Sequence, residues 1–349
     1  MKYHLIKGMS LIELMVSLTI GLFLISAFLG LYLAQTQTYR TGVGQGAILN
    51  AENALHELVN PLIRGSGFFG CSSVVNAMSN LGTSTALPLG ALNTKAAMVM
   101  GYNANTNLTA FNAPNASSAG LWTPALESGL VGQVESGSDV LVVLGPLVNA
   151  SPISVTSIPT GSVSFSVQNA SGVASGQYGA ISDCAKASIF KITGVSGNTI
   201  AHATGGAMGN ISDALAVDFP IGAQFIPIVQ TAFFVAQGQN NQSVLMRATY
   251  NGSGWITEPL IPGIDMMHVL YGIKIGSTNR YVTANNVNDW SQVSSVQLSF
   301  LIGGQAGSGS SNTSNPTQFT MLNTTYTIPR DNRLRHVYEM TIYLRNSLL

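Results

Sequence analysis

One acidic side chain stands alone in an apolar stretch at the start of this chain. From Met9 to Tyr39 the only formally charged residue is Glu13. A carboxylate in such surroundings costs about 2.5–3.5 kcal/mol even on a lenient insertion scale, so residues of this kind are usually functional. The chemistry open to it is capture of a cation; the bland alternative is snorkelling toward headgroups. Just before the apolar run sits a small residue, Gly8, after the short basic segment Met-Lys-Tyr-His-Leu-Ile-Lys. Two cysteines, Cys71 and Cys184, lie outside any CxxC pair, which argues against a zinc ribbon or a thioredoxin-type site. They read either as one disulfide closing a long loop or as two buried thiols.

Other reactive side chains form no catalytic pattern. The chain has no Gly-x-Ser-x-Gly elbow, no His-Glu-x-x-His and no Walker A sequence. His4, His56, His202, His268 and His336 are scattered. His268 alternates within an apolar strand pattern and reads as a core or edge histidine rather than a metal ligand. Asp183 beside Cys184 would suggest an activated thiol only with a basic neighbour, and Lys186 is the one nearby. Arg330, Arg333 and Arg335 form a small basic cluster, expected as a solvated strand flank or, more sharply, as a subunit contact. These patterns predict a protein that is not an enzyme and needs no cofactor or metal.

Composition agrees. The 349 residues carry 14 basic and 14 acidic side chains, and charged residues are only 8% of the chain. That is about a third of the usual share. No clustered basic face is visible for phosphate-backbone binding, so no direct nucleic-acid site is identified.

The elements that must position Glu13 follow from patterning. Leu14 to Ala34 is nearly continuous apolar sequence, long enough for a helix to cross about 30 Å of hydrocarbon. The basic flank comes first, which places residues 1–8 in the cytoplasm and the bulk of the chain outside. The small residue precedes the apolar run instead of following it, unlike an ordinary secretory signal. A cut after Gly8 would leave the whole apolar helix on the mature chain. Beyond it, Ile48, Ala51, Leu55, Leu58 and Leu62 recur at helical spacing, and breakers at Pro61, Gly65 and Gly67 predict the helix end. The run Gly42-x-Gly44-x-Gly46 predicts a place where the helix bends or melts, or one where it packs closely.

Residues 72–135, rich in Asn, Ser, Ala and Gly, read as loops with short strands. Strand patterns follow at Asp139–Leu144, Val163–Val167, Ser188–Thr193, Thr231–Ala236, Val244–Tyr250, His268–Ile273, Ser295–Ile302 and His336–Leu344. The segment Gly303–Thr317 reads as a mobile Gly/Ser/Asn loop. The expected fold is therefore α+β: a long N-terminal helix, its first half transmembrane, packed on a mainly antiparallel β-sheet domain. The expected divisions are 1–8 leader, 9–34 membrane and assembly helix, 35–64 helix continuing into the head, and 65–349 β-rich head.

The segment Gly8-Met9-Ser10-Leu11-Ile12-Glu13 resembles the type IV prepilin signature, although that family prefers Phe where Met9 stands. The resemblance implies that a prepilin peptidase cleaves Gly8–Met9 and methylates the new amine of Met9. It also implies that Glu13 meets the N-terminal amine of a neighbouring subunit. Further motifs resemble the PilW-like minor pilins of type IV pilus assembly. In order they are Gln37-Thr38-Tyr39-Arg40, Gly67-Phe68-Phe69-Gly70-Cys71, Gly137-Ser138-Asp139-Val140-Leu141 and Ser182-Asp183-Cys184. Then come Pro262-Gly263-Ile264-Asp265-Met266-Met267-His268-Val269-Leu270-Tyr271-Gly272, Arg280-Tyr281-Val282-Thr283-Ala284, Asp289-Trp290, Arg333-Leu334-Arg335-His336-Val337-Tyr338 and Leu344-Arg345-Asn346.

This likeness implies a pilin-like fold and pairing of Cys71 with Cys184. It implies a minor pilin in an initiating or tip complex, acting in twitching motility, adhesion or DNA uptake. Its partners would be other minor pilins, the major pilin, the prepilin peptidase, the inner-membrane assembly platform and membrane lipid. Its place would be the inner membrane as a single-pass protein, then the pilus and cell surface. A minor pseudopilin of type II secretion and a tip adhesin, with residues 72–135 as its binding surface, are the competing readings.

Overall fold

A computed structural model describes residues 10–70, 77–81, 98–105, 114–205, 209–215, 218–238, 242–275, 278–309, 317–328 and 330–346. One helix runs from Leu11 to Arg64 and is long and apolar enough to cross a membrane. Ser10 is its N-cap, and Ser10 with Glu13 forms a capping box that satisfies otherwise orphaned backbone donors. The helix does not stop at Pro61. A π-helical turn at Leu55–Val59 precedes it, with the Asn60 amide bonded back to the Leu55 carbonyl. A proline in a helix lacks a donor and crowds the carbonyl four residues earlier. One wider turn ahead of it lets the helix continue to Arg64, where Gly65 follows.

That turn also redirects the buried face. Ile48, Ala51 and Leu55 are buried as the spacing predicts. The next two buried positions are Val59 and Ile63, whereas Leu58 is 43% exposed. The extra residue in the π turn shifts the stripe by one from the expected Leu58 and Leu62.

The head is built from strands, numbered in chain order. The first are β1 (Ala77–Ser79), β2 (Val99–Ala104), β3 (Trp122–Thr123), β4 (Val140–Pro146), β5 (Ile153–Ser157), β6 (Ser164–Val167) and β7 (Tyr178–Ser182). Next are β8 (Ala187–Lys191), β9 (Gly194–Ser196), β10 (Thr199–Ala201), β11 (Gln224–Gln237), β12 (Ser243–Tyr250) and β13 (Trp255–Pro262). The last are β14 (Ile264–Ile275), β15 (Thr278–Val282), β16 (Val293–Gly303), β17 (Thr317–Met321), β18 (Thr324–Ile328) and β19 (Arg335–Tyr343).

Among the described residues β1–β13 form one large branched sheet in which β11 pairs with β4, β5, β7 and β12 along its length. A second sheet has the order β15-β14-β16-β19, and β17–β18 is a separate hairpin. Pairing is antiparallel except for β1 with β8. The fold is α+β, as expected. Each predicted strand segment lies within or against an observed strand. The edge strand β13 lies outside the predicted strand segments and carries two prolines, Pro259 and Pro262. An edge tolerates a residue without a donor, and the register with β12 shifts between Leu245 and Met246, opposite Pro259.

The main core lies where the helix crosses the two sheets. Ile48, Leu55, Val59 and Ile63 pack with Leu144, Ile228, Phe233, Val269, Leu298 and Ile342. Residues 11–20 of the helix, by contrast, are exposed to a surround of nothing but solvent within the single chain. The helix remains unbroken through Gly42–Gly46. Gly44 is a close-packing position: a Cβ there would lie 2.6 Å from Cβ of Ser308. Gly42 is exposed with open space around it. In the detergent-solubilised chain, Gly42→Ala should raise stability by about 1 kcal/mol through helix propensity. Gly44→Ala should lower it by about 1–3 kcal/mol through overpacking. Thermal midpoints of the two variants, expected to move in opposite directions, check the assignment.

Candidate assembly surface and the helix–head joint

Gly8 and Met9, where cleavage and methylation are expected, lie outside the described residues. Glu13 lies in the first helical turn, and its Oε2 accepts the Ser10 amide at 3.4 Å. A carboxylate there also suits the positive end of the helix dipole. Its neighbours Leu11, Ile12, Leu14 and Met15 are all strongly exposed. Among the described residues nothing in its own head approaches it. The Ser-x-x-Glu spacing of Ser10 and Glu13 is the sequence signal for this second role of Glu13.

The head first hydrogen-bonds the helix at Gln37. Gln37 Nε2 donates to the Gly309 carbonyl at 3.1 Å and Thr41 Oγ1 to the Ser308 carbonyl at 3.1 Å. These two residues and Gly44 share one helix face at spacings of four and three. The loop they meet, which follows β16 and reaches Gly309, is the first part of the segment Gly303–Thr317 expected to be mobile. It is tied on its far side as well: the Gly304 amide donates to the Leu334 carbonyl at 2.8 Å and the Gly309 amide to the Asn332 carbonyl at 2.8 Å. Residues 310–316 lie outside the described set.

Beneath the loop sits a charge cluster that corrects the expectation for Arg333 and Arg335. They are neither a solvated flank nor an exposed subunit contact; their side chains are 8% and 4% exposed around an Asp265 that is 0% exposed. Arg335 Nε donates to Asp265 Oδ2 at 2.8 Å, and Arg333 Nη1 approaches Oδ1 at 3.4 Å. Arg333 Nε also donates to the Gly304 carbonyl at 2.9 Å, which couples the cluster to the loop. Arg335 reaches on to Asp331 through two bonds of 2.6 Å, the bidentate geometry that guanidinium favours. The buried acid was the missing clue. An Asp between Ile264 and Met266, in a chain so poor in charge, has to be paired when buried.

A second polar node joins two motifs 129 residues apart. Asp139 accepts from the amides of Ala104 and Val269 at 2.8 and 2.9 Å, and its Oδ2 lies 2.7 Å from Nδ1 of His268. Ser138 bonds the Met267 amide at 3.1 Å. His268 is therefore a core histidine, as read, although its Nε2 is buried with no partner among the described residues. Trp290 packs edge-on to Tyr271, with centroids 4.8 Å apart, whereas Tyr343 is 65% exposed. Two further contacts fasten the helix: Glu52 Oε1 lies 2.7 Å from His336 Nδ1, and Asn346 Nδ2 donates to the Ser66 carbonyl at 2.8 Å.

Cys71 lies outside the described residues. Cys184 lies in the turn between β7 and β8 with φ 70°. Asp183 Oδ1 accepts the amides of Ala185 and Lys186 at 3.2 and 3.0 Å, so it shapes that turn. Among the described residues no three His, Cys, Asp or Glu side chains converge to hold a metal ion.

Burial pushes the Asp265 carboxyl up, against the downward pull of Arg333 and Arg335. Burial acts upward on Asp331 too, but the hydrogen bond and charge of Arg335, with the charge of Arg333, outweigh it and hold Asp331 below its usual range.

A long apolar N-terminal helix joined to an α+β head is compatible with membrane anchoring. Residues 232–346 match the family model described as Type IV Pilus-assembly protein W. The match begins in β11 and covers β12–β19, including both arginines, Asp265 and His268. It supports a part in type IV pilus assembly for this chain. Comparison with curated proteins finds no match.

Asp265→Ala would leave two buried guanidiniums without their shared acid and should cost about 3–5 kcal/mol in chemical denaturation. Asp331 binds its proton more weakly folded than unfolded. Its pairing therefore adds stability above the unfolded carboxylate pKa of about 3.9 and loses it as pH falls below that value. Asp331→Asn should accordingly lose less stability than the parent on acidification from about pH 6 to pH 3. Equal losses in the two proteins would contradict this.

Proposed function

We propose that this chain is a minor pilin of type IV pilus assembly. It is made with a leader at residues 1–8, cut after Gly8 and N-methylated at Met9. It is held in the inner membrane by residues 9–34 with its head outside, then passed into a pilus-initiating or tip complex. Its partners there are other minor pilins and the major pilin, with the prepilin peptidase and the assembly platform acting on it beforehand. It works by presenting surfaces and catalyses no reaction.

The observation that carries this reading is the asymmetry of the helix. Its second half is packed on the head, while its first half is apolar all round, touches none of the described residues of the head and carries one carboxylate. Such a segment needs lipid or other helices. The match to a pilus-assembly family supports the same conclusion. Glu13 is satisfied locally by the Ser10 amide at 3.4 Å, a long bond. Cleavage after Gly8 would create an amine one residue before Ser10. A neighbouring subunit's amine, fully charged, is a stronger partner than that amide. Cys71 and Cys184 are assigned to one disulfide, which in the chain-entropy model stabilises by up to about 4–5 kcal/mol.

The mature chain should begin at Met9 on N-terminal sequencing. Glu13→Val should leave the protein in the membrane and strongly reduce its recovery in sheared pili. Wild-type incorporation of that variant would refute the assembly role of the carboxylate. A deletion strain should lose surface pili while retaining major pilin in the membrane. Normal pili with failed export of folded enzymes would point to a type II secretion pseudopilin instead, and normal pili with lost adhesion to a tip adhesin.

A further inference from the structure

The head touches the helix close to where the apolar run ends, with depth counted along the helix axis. Leu14–Ala34 spans about 30 Å at 1.5 Å per residue, one hydrocarbon thickness. Gln37, which holds Gly309, lies about 4.5 Å beyond Ala34, and Thr41, which holds Ser308, lies about 10 Å beyond it. The polar headgroup layer on each side of a bilayer is roughly 5–8 Å thick. Gly309 therefore stands at headgroup depth and Gly307, beside Arg40, at its outer edge whenever the helix crosses the membrane, while the loop rises from there to Gln305, which lines a groove with Ala47 and Asn50 of the helix.

The side chains at that depth suit it. Ala306, Gly307 and Gly309, toward that end of the loop, are uncharged. The carboxylates supporting the loop, Asp265 and Asp331, are engaged by Arg333 and Arg335. Arg40 is exposed and packs on the loop, its Nη1 3.4 Å from where a Cβ of Gly307 would stand. Among the described residues no carboxylate pairs with it. Tyr32 and Tyr39 are 67% and 73% exposed, two helical turns apart and on the side away from Gln37 and Thr41. Tyrosines flanking the end of an apolar span are the usual interfacial anchors.

We propose that the anchored subunit rests its head on the outer face of the bilayer, with Arg40 and the Gly307–Gly309 end of the loop forming a surface that binds phospholipid phosphate. The proposal depends on the reading of residues 14–34 as the membrane-crossing segment. It holds the head at one height and bars it from swinging about the helix until assembly lifts it from the lipid.

The test uses the full chain in nanodiscs of phosphatidylcholine containing about a third phosphatidylglycerol. A photo-crosslinking amino acid is placed at Ala306, next to Gly307 and Arg40, in one sample and at Tyr32 in another. Lipid adducts are expected at both. Adducts at Tyr32 without any at Ala306 would overturn the proposal while leaving the anchor intact. Absence at Tyr32 would overturn the anchor reading and the proposal with it. Arg40→Gln, at an exposed site, should fold normally by thermal melting. It should reduce the enrichment of phosphatidylglycerol among co-purified lipids by up to about fivefold, the effect of one basic side chain near an anionic surface. Unchanged enrichment would remove Arg40 from the surface.

Discussion

Asp265 has lost all contact with water, and an isolated carboxylate in that position would be very costly. Arg333 and Arg335 close on it from the strand flank opposite, and the geometry of the whole joint follows from that closure. Arg333 also holds the Gly304 carbonyl, so the loop after β16 can occupy only a narrow range of positions. The loop in turn presents the carbonyls of Ser308 and Gly309 to Thr41 and Gln37 of the helix. Gly44 completes the contact because any side chain there would meet Ser308. A buried ion cluster is weak evidence for stability in itself. Its value here is directional: it converts a flexible, glycine-rich segment into a fixed bearing for a long helix.

The helix then serves two environments. From Gly44 onward it supplies one face of the head's core, and the π turn ahead of Pro61 keeps that face aimed at the sheets for two further turns. Before Gln37 it has no partner among the described residues of its own head and is apolar all round. The change happens over a few residues, at the level where the apolar run ends. A subunit built this way has a head whose position relative to the membrane is set by the joint rather than by a linker.

Much of this was legible in the amino-acid order. Local properties decide the long apolar helix, its end near Arg64, the solitary Glu13 and the strand-rich head, because hydrophobic run length, periodicity and β-branched alternation act over a few residues. The motif containing Asp265 and the motif containing Arg333 and Arg335 were each visible. So were Gly137-Ser138-Asp139 and the strand containing His268. Their meeting was not. Asp265 and Arg335 are 70 residues apart, and Asp139 and His268 are 129 apart. Only the pairing of β14 with β16, and of β16 with β19, brings the first pair together. Burial, too, is a tertiary property: two arginines on a strand flank look solvated until a loop and a helix cover them. By itself, then, the sequence determined that this chain carries an unshared apolar helix with one acid near its start. The tertiary structure decided which residues grip that helix, because a buried charge finds its partner through the sheet register and not through distance along the chain.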